Sequence, residues 1–498
     1  MDFHFSLNDV SPYTKRLTPA HIDYRIWPPL PNESATWHNA RIENHVGANQ
    51  HGCSVMSTDK IRSGEIVIQE YPQIKHLNQS IINYRCSQCF RRNARIYCRT
   101  KNCPWDLHFC NKQCEARHWS TGHKWLCHFP ELSKYIDMTQ DNFQFHTGET
   151  PMILKAYFFS AQSRIPSLVS NISKHTASDR KKYREKAQLI AAVLHLIRDD
   201  AIDELIEIQG QIRCNTIAIR ETNHECGINE HLGKAIYLSA SKMNHSCDPN
   251  AIAYFGKDPG HDPCLLRVRT SRDIPSKQQV CISYGFLAAK HEQSARKNSL
   301  NMLYFFNCKC EACQAGNVEN PAAYIYQCQF CPTGRLASGE KYCKACNGRI
   351  DWMRIAMIEQ KADEYVEEGK ILKASKLQEI IYHKSSLNWG EAMDKLGEHY
   401  AMKENYDMAA QCIMASLTAV RDTFGATSIE TSRELKKLAS LIYINLSTEL
   451  SSLRHIYDNA KNIVKEAIRV YKALGLDEQN GTEFEELRKM QMILVDIA

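Results

Sequence analysis

The chain has 498 residues, and 62 Lys+Arg set against 56 Asp+Glu give a formal charge of +6. That length fits roughly three to four domains, and so mild a basic excess permits an acidic or nucleic-acid partner without requiring one. No run reaches the ~18–20 uncharged apolar residues of a membrane span, and Met1-Asp2-Phe3-His4 opens without a basic-then-apolar leader, so an intracellular protein with no membrane partner is expected.

Residues 1–36 carry Pro12, Pro19, Pro28, Pro29 and Pro31 and read as an irregular N-terminal arm. From Trp37 to Asn78 the texture alternates: Ile66-Val67-Ile68 follows the turn Arg62-Ser63-Gly64-Glu65, which predicts short strands.

Cysteine then dominates. Of 21 in the chain, seven fall between Cys86 and Cys127 and seven between Cys308 and Cys346. Close pairs in a chain without a leader favour zinc over disulfides. The first cluster runs Cys86-x2-Cys89-x8-Cys98-x4-Cys103-x6-Cys110-x3-Cys114-x8-His123-x3-Cys127. Eight such donors fill two closed tetrahedral sites, a structural arrangement. His108, His118 and His128 are nearby alternatives, and His123 is preferred for its spacing to Cys127. Arg85, Arg91, Arg92, Arg95, Arg99 and Lys101 crowd the same segment with Tyr97 and Trp105, a pattern that weakly supports a nucleic-acid surface beside the plainer solvated face.

Between about 131 and 210 the pattern becomes helical, with Leu189, Ala192, Val193, Leu196 and Ile197 at three-to-four spacing. Strand texture returns at 212–219, 251–255, 265–268 and 280–283. Within this stretch lie two polar motifs, Asn244-His245-Ser246-Cys247-Asp248-Pro249-Asn250 and Ile282-Ser283-Tyr284. An aromatic and cysteine segment follows: Tyr304-Phe305-Phe306-Asn307-Cys308-Lys309-Cys310-Glu311-Ala312-Cys313. Cys308, Cys310 and Cys313 leave a tetrahedral site one ligand short. Cys328-x2-Cys331-x11-Cys343-x2-Cys346 is a complete four-cysteine ribbon, with turns at Pro332-Thr333-Gly334 and Asn347-Gly348. Cys53, Cys214, Cys226, Cys264, Cys281 and Cys412 fit no ligand pattern and read as small core residues. Residues 350–498 look helical throughout; Leu396-Gly397-Glu398-His399-Tyr400 with Ala409, Ile413 and Ser416 fits a tetratricopeptide-like helix pair, with a second unit over 432–471.

The two polar motifs and the aromatic–cysteine segment together resemble the SET domain of protein-lysine methyltransferases, in the subgroup with an inserted MYND zinc finger (the SMYD family). The resemblance covers about 37–350. It implies an α+β protein, divided as follows: arm 1–36, SET N-terminal part 37–79, MYND finger 80–130, helical insert 131–230, SET core 231–300, post-SET zinc segment 301–320, zinc ribbon 321–349 and helical TPR-like domain 350–498. The extra ribbon suggests a divergent, arthropod-type branch. The family's interleaved finger implies one zinc on Cys86, Cys89, Cys110 and Cys114 and another on Cys98, Cys103, His123 and Cys127; it also supplies Cys247 as fourth ligand to Cys308, Cys310 and Cys313. With the ribbon, about four structural zinc ions are expected.

The same resemblance implies S-adenosylmethionine as methyl donor. It maps Asn244 and His245 onto donor contacts, Asn215 and Ser241 to the pocket, and Phe306 against the adenine. Tyr284 and Tyr304 form the lysine channel, with Tyr284 also bordering the donor. The family's Gly-x-Gly donor loop corresponds here to His51-Gly52-Cys53-Ser54-Val55, in which only the first glycine is present. The implied activity is protein-lysine N-methylation of histone or non-histone substrates in transcriptional regulation, by a monomer of nucleus and cytoplasm. Its MYND finger would take proline-containing peptides. The alternative is a catalytically weak SET/MYND scaffold that recruits co-repressor partners.

Overall fold

The computed structural model describes residues 35–47, 50–101, 103–127, 149–160, 168–196, 200–222, 229–255, 263–315, 324–448, 454–479 and 481–496. The expected arm lies almost wholly outside them, as do Cys226 and His128.

The first half is strand-rich. β1 (Ala35–Trp37), β2 (Ala40–Gly47), β3 (Gln50–Ser57), β4 (Ile66–Glu70) and β5 (Ile74–Leu77) lead into the finger, which holds the short hairpin of β6 (Ile96–Tyr97) and β7 (His108–Phe109). Helices α1 (Lys112–His118), α2 (Lys124–Leu126), α3 (Glu149–Ser160), α4 (Ala177–Val193) and α5 (Ala201–Asn215) precede β8 (Thr216–Thr222) and β9 (Asn229–Ile236). Then come β10 (Asn244–His245), β11 (Ala251–Phe255), β12 (Leu266–Thr270) and β13 (Cys281–Ile282), followed by α6 (Gln293–Tyr304), α7 (Glu311–Gln314) and the hairpin β14 (Tyr324–Gln327)–β15 (Arg335–Ala337).

One sheet has the order β1-β4-β12-β11 and a second β5-β9-β8; β2 pairs with β3. Every residue of β12 is buried, so that strand is covered on both faces rather than alternating. Val67 and Ile68 of β4 pack with Val55, Met243, Val268 and Val280 in one apolar cluster, beneath the polar motifs.

Two sequence expectations shift. The strand expected over 212–219 is half helix: α5 runs to Asn215 and the strand begins at Thr216. A short apolar run cannot by itself separate the two states. The buried stripe of α4 is Tyr183, Ala187, Ile190 and Ala191, with Leu194 beyond it, whereas Leu189 and Val193 are half-buried and Ala192 is exposed. Tyr183 sets the phase one position away from the expected set. The helix ends before Leu196, where His195 adopts φ +50°.

The second half is all helix: α8 (Trp352–Glu367), α9 (Ile371–Ile381), α10 (Leu387–Ala401), α11 (Tyr406–Phe424), α12 (Ile429–Thr448), α13 (Arg454–Leu474), α14 (Leu476–Gln479) and α15 (Gly481–Asp496). Ser386 and Asn405 cap α10 and α11 by accepting from the N–H groups of Trp389 and Met408. Gly397 and Gly390 let the pair approach closely, since a Cβ at Gly397 would stand 3.0 Å from Ile413 and one at Gly390 3.3 Å from Ala419. The expected helix pair is this one.

The C-terminal end of α13 abuts the first sheet. Arg269 on β12 donates through Nη1 to the carbonyl of Lys472 at 3.1 Å, and a Cβ on Gly64 would lie 3.1 Å from the Cα of Ala473. Lys290 pairs with Glu430 at 2.8 Å. The chain is therefore α+β, a strand-rich half carrying cysteine clusters joined to a helical half. Among the described residues no helix is long and apolar enough to cross a membrane.

Candidate active site and metal centres

Four groups of four ligand atoms each gather within 4.8 Å: Cys86, Cys89, Cys110 and Cys114; Cys98, Cys103, His123 and Cys127; Cys247, Cys308, Cys310 and Cys313; Cys328, Cys331, Cys343 and Cys346. A tetrahedral ion with Zn–S of about 2.3 Å holds sulfurs about 3.8 Å apart. Cys89–Cys110 at 3.7 Å, Cys98–Cys127 at 3.7 Å, Cys247–Cys313 at 3.6 Å and Cys328–Cys346 at 3.6 Å match that spacing. They are far beyond a covalent S–S bond of about 2.05 Å. The donor sets fit four zinc ions.

Local sequence explains each knuckle. Asn111 caps α1 by accepting from the Cys114 N–H at 2.8 Å, which places Cys110 and Cys114 on one turn. Trp105 donates from Nε1 to the Leu126 carbonyl at 3.0 Å, closing the finger over its second quartet. His123 faces its thiols with Nε2, 3.3 Å from Cys98 and 3.4 Å from Cys103. The alternative histidines are engaged elsewhere: His108 Nδ1 with the Ile82 carbonyl and His118 Nδ1 with Gln88. In the ribbon, a Cβ on Gly334 would come within 2.6 Å of Cys328 Cβ and 2.9 Å of Cys331 Sγ, so only glycine fits there.

The two polar motifs meet in space. β10 and β13 pair in parallel, Asn244 opposite Cys281 and His245 opposite Ile282. The Tyr284 N–H donates to His245 Nδ1 at 3.0 Å, and the Tyr284 hydroxyl donates to the Met243 carbonyl at 2.6 Å. The other ring nitrogen, Nε2, lies 3.4 Å from the Cys247 sulfur. Burial lowers the His245 pKa to about 4, so the ring is neutral; a bare Nδ1 then assigns the proton to Nε2, facing the thiolate. Both nitrogens of the expected donor-contact histidine thus face protein atoms, so its ring braces the loop from within.

The Tyr284 and Tyr304 rings stand 4.9 Å apart, and the Tyr304 hydroxyl donates to the Tyr284 carbonyl at 3.4 Å. Phe306 lies 6.2 Å from His245 and 6.3 Å, edge-on, from Tyr284. Burial raises both tyrosine pKa values, so each hydroxyl is a neutral phenol around pH 7. The pair forms an aromatic wall whose oxygens accept hydrogen bonds but carry no charge.

The remaining expected donor residues border the same loop. Asn244 is exposed and donates to the Cys53 carbonyl at 3.3 Å, bringing the 51–55 segment against the Asn-His motif. Gly52, at φ +146°, has nothing within 4 Å of where a Cβ would stand, so its backbone borders open space. Ser54, in the place of the family's second glycine, turns its side chain into the core. Ser241 donates to the Asn215 carbonyl at 3.0 Å, while the Asn215 amide is held by the carbonyls of Val169 and Gln211. An exposed amide, an open glycine backbone and an adjacent ring suit a zwitterionic, purine-bearing donor.

Two supports had no signal in the sequence. Glu70, fully buried at the end of β4, accepts from the N–H groups of Ser239 and Ala240 at 2.9 and 2.8 Å. It thereby holds the turn that leads into Ser241 and Asn244. Phe305, at φ +62°, stacks 4.3 Å from His175, lies under Arg213 at 5.6 Å and receives Lys174 on its carbonyl. That residue ties the aromatic segment to the helical insert. The finger's basic residues are less free than their clustering suggests. Arg85 is buried against Glu221 and Glu230, Arg92 reaches Glu230 at 3.1 Å, and Arg99 reaches Glu115 at 2.7 Å.

Residues 52–285 match the family model of the SET domain. Along 278 residues the chain is 23% identical to the histone-lysine N-methyltransferase ASHR1 of Arabidopsis thaliana, covering 53% of each chain. It is 25% identical over 315 residues to the protein-lysine N-methyltransferase SMYD4 of Mus musculus, covering 57% of this chain and 37% of that one. It is also 25% identical over 290 residues to the histone-lysine N-methyltransferase SMYD3 of Homo sapiens, covering 55% and 61%. The chain thus spans about half the length, or less, of the first two of these relatives.

Proposed function

We propose, from the premise that this chain carries a SET domain of the SET-and-MYND type, that it is an S-adenosylmethionine-dependent protein-lysine N-methyltransferase. The observation that carries the reading is the convergence of Tyr284, Tyr304 and Phe306 beside the exposed Asn244, on a loop anchored through His245 to the Cys247 quartet.

S-adenosylmethionine supplies a methyl group already activated on a sulfonium. The chain's own task is to deliver a lysine amine, ordinarily protonated with a pKa near ~10.4, as a neutral nucleophile in line. The Tyr284 and Tyr304 rings exclude water from the approach and disfavour the charged ammonium. The Tyr284 hydroxyl, its proton engaged by the Met243 carbonyl, offers only lone pairs to an incoming amine N–H and so aims it. As a neutral phenol with a raised pKa it does not take up the amine's proton, which leaves to solvent. Asn244, the backbone of Gly52 and Cys53, Asn215, Ser241 and Phe306 would border the donor.

Substrates are proteins with an accessible lysine, histone or otherwise, and the process is transcriptional regulation in nucleus and cytoplasm by a monomer whose finger takes proline-containing peptides. A second reading, a SET/MYND scaffold of weak activity, is favoured by one contact: the Asn244 amide already bonds Cys53, across the place where the family's second glycine is missing. Calorimetry with S-adenosylmethionine on the zinc-loaded chain separates the two. Saturable heat, with transfer of labelled methyl to lysine, supports the enzyme; no heat at millimolar donor leaves the scaffold.

A further inference from the structure

Two of the largest fully buried side chains are arginines, and their charges are met differently. Arg85 faces two carboxylates, those of Glu221 and Glu230. Arg296, at the start of α6 and only 1% exposed, faces none. Its partners among the described residues are the His291 carbonyl, the Ala312 carbonyl at 3.4 Å and the Cys313 sulfur, 3.9 Å from Nη2. Its Nε is buried without an acceptor, so hydrogen bonding alone does not account for this charge.

An arginine cannot shed its proton to escape burial, and a buried charge without a counter-charge is strongly destabilising. The group at hand is the quartet of Cys247, Cys308, Cys310 and Cys313. A zinc ion held by four thiolates is itself a dianion. Here Cys247, Cys308 and Cys313 are buried, and the apolar shell around them includes Leu300, Phe286 and Phe306. Water screens such a centre poorly, so each charge needs the other. The ribbon quartet has less need of a cation, because Cys346 is open to solvent. The start of α6 holds the thiolate segment at a further point, where Gln293 Nε2 donates to the Cys313 carbonyl.

We propose that Arg296 is the electrostatic counter-ion of the zinc-bound Cys247 quartet. It is a positioning residue: its guanidinium lets a dianionic centre stay dry, and that centre in turn clamps the Asn-His loop to the segment that carries Phe306. Its charge offsets the thiolates from the Cys313 side, while His245 Nε2 faces Cys247. This role depends on zinc and not on methyl transfer.

The test uses the full, zinc-loaded chain, following zinc withdrawal by EDTA and native alkylation of each cysteine by iodoacetamide, located by mass spectrometry. Arg296→Gln keeps an amide donor and loses the charge; Arg296→Lys keeps the charge and loses the planar fork. In Arg296→Gln the Cys247 quartet should hold zinc roughly tenfold or more weakly, and its cysteines should be alkylated faster by a similar factor. Finger and ribbon cysteines should react as in the parent. Arg296→Lys should recover most of both readouts, to within about threefold of the parent. Equal losses in the two variants would assign Arg296 to the carbonyls of His291 and Ala312 and overturn the proposal. So would undiminished zinc retention in Arg296→Gln, or finger and ribbon cysteines quickened as much as the quartet. If Arg296→Gln does not fold, Arg296→Met replaces it as the neutral variant. If neither folds, a folded Arg296→Lys with all four zinc ions supports the counter-ion, and an unfolded one overturns it. S-adenosylmethionine binding is scored apart, and its absence from the parent would count against the methyl-transfer reading alone.

Discussion

The backbone N–H of Tyr284 donates to Nδ1 of His245 at 3.0 Å, while Nε2 of the same ring lies 3.4 Å from the sulfur of Cys247. One imidazole therefore couples the aromatic channel to a metal quartet. Replacing His245 by Ala leaves a buried N–H and a thiolate without their partner, at a cost of about 1–3 kcal/mol. The expected result is a lowered urea midpoint, with donor affinity falling in step. His245→Ala with full stability and undiminished donor binding would show that the ring is a bystander.

Tyr284→Phe removes one hydroxyl bonded to the Met243 carbonyl and little packing. Stability should drop by only about 0.5–1.5 kcal/mol. Methyl transfer should fall on the order of a hundredfold, because the amine loses the group that aims it. Labelled-methyl transfer measured beside the thermal midpoint distinguishes the two effects; parallel small losses in both would assign Tyr284 to structure alone.

Burial raises the Glu70 pKa from 4.5 to about 7, against the pull of the N–H groups of Ser239 and Ala240. The folded state thus binds the proton more tightly than the unfolded state. The stability this confers is fully present below about pH 4.5 and is lost as pH rises through about 7. The shift corresponds to about 3 kcal/mol. Glu70→Gln removes the titration but turns its NH2 toward the N–H group of Ser239 or Ala240, so it should start less stable than the parent near pH 4 and gain on it by about that amount by about pH 8. Subtracting the two urea-midpoint profiles cancels zinc–proton linkage common to both; a flat difference would refute the assignment.

Metal analysis should count four zinc ions per chain, each quartet losing its own when one ligand is changed. Cys313→Ser should remove one zinc and also donor binding, since its quartet includes Cys247 of the polar loop. Cys343→Ser should remove one zinc and spare donor binding, because the ribbon packs with α8, α9 and α10. Equal donor loss in the two variants would contradict that separation.

Gly475 has φ +69°, and a Cβ there would stand 2.7 Å from Arg269 Nε and 2.9 Å from the Tyr254 hydroxyl. Gly475→Ala should therefore loosen the seat of α13 on the sheet and cost about 1–3 kcal/mol. Limited proteolysis should then cut between the two halves faster than in the parent. An unchanged digestion rate would mean the contact tolerates the methyl group.

Metal chemistry was the most legible part of the sequence because its signal is local: thiols two or three residues apart need no knowledge of the fold to be paired with an ion. The choice of His123 over His108 and His118 followed from spacing, and the structure engages those two with Ile82 and Gln88. Cys247 is different. Nothing near it in sequence completes a quartet, and only the family resemblance joined it to Cys308. The phase of α4 was misread because Leu189, Ala192 and Val193 look as apolar as Ile190 and Ala191, and only the neighbouring helix decides which face is covered. Glu70 was invisible for the opposite reason. One acid at the end of an apolar strand reads as a solvated edge, yet its partners come from a turn 169 positions later.

Cys247 precedes Cys308 and Cys313 by 61 and 66 residues, and β10 pairs with a strand that follows it in the chain. A polypeptide emerging from the ribosome therefore displays the Asn-His loop well before it owns the parts that clamp it. The finger, whose eight ligands fall within 86–127, can close on its metal much earlier. Zinc scarcity during synthesis would then strike the two regions unequally, favouring molecules with a closed finger and an unclamped Asn-His loop.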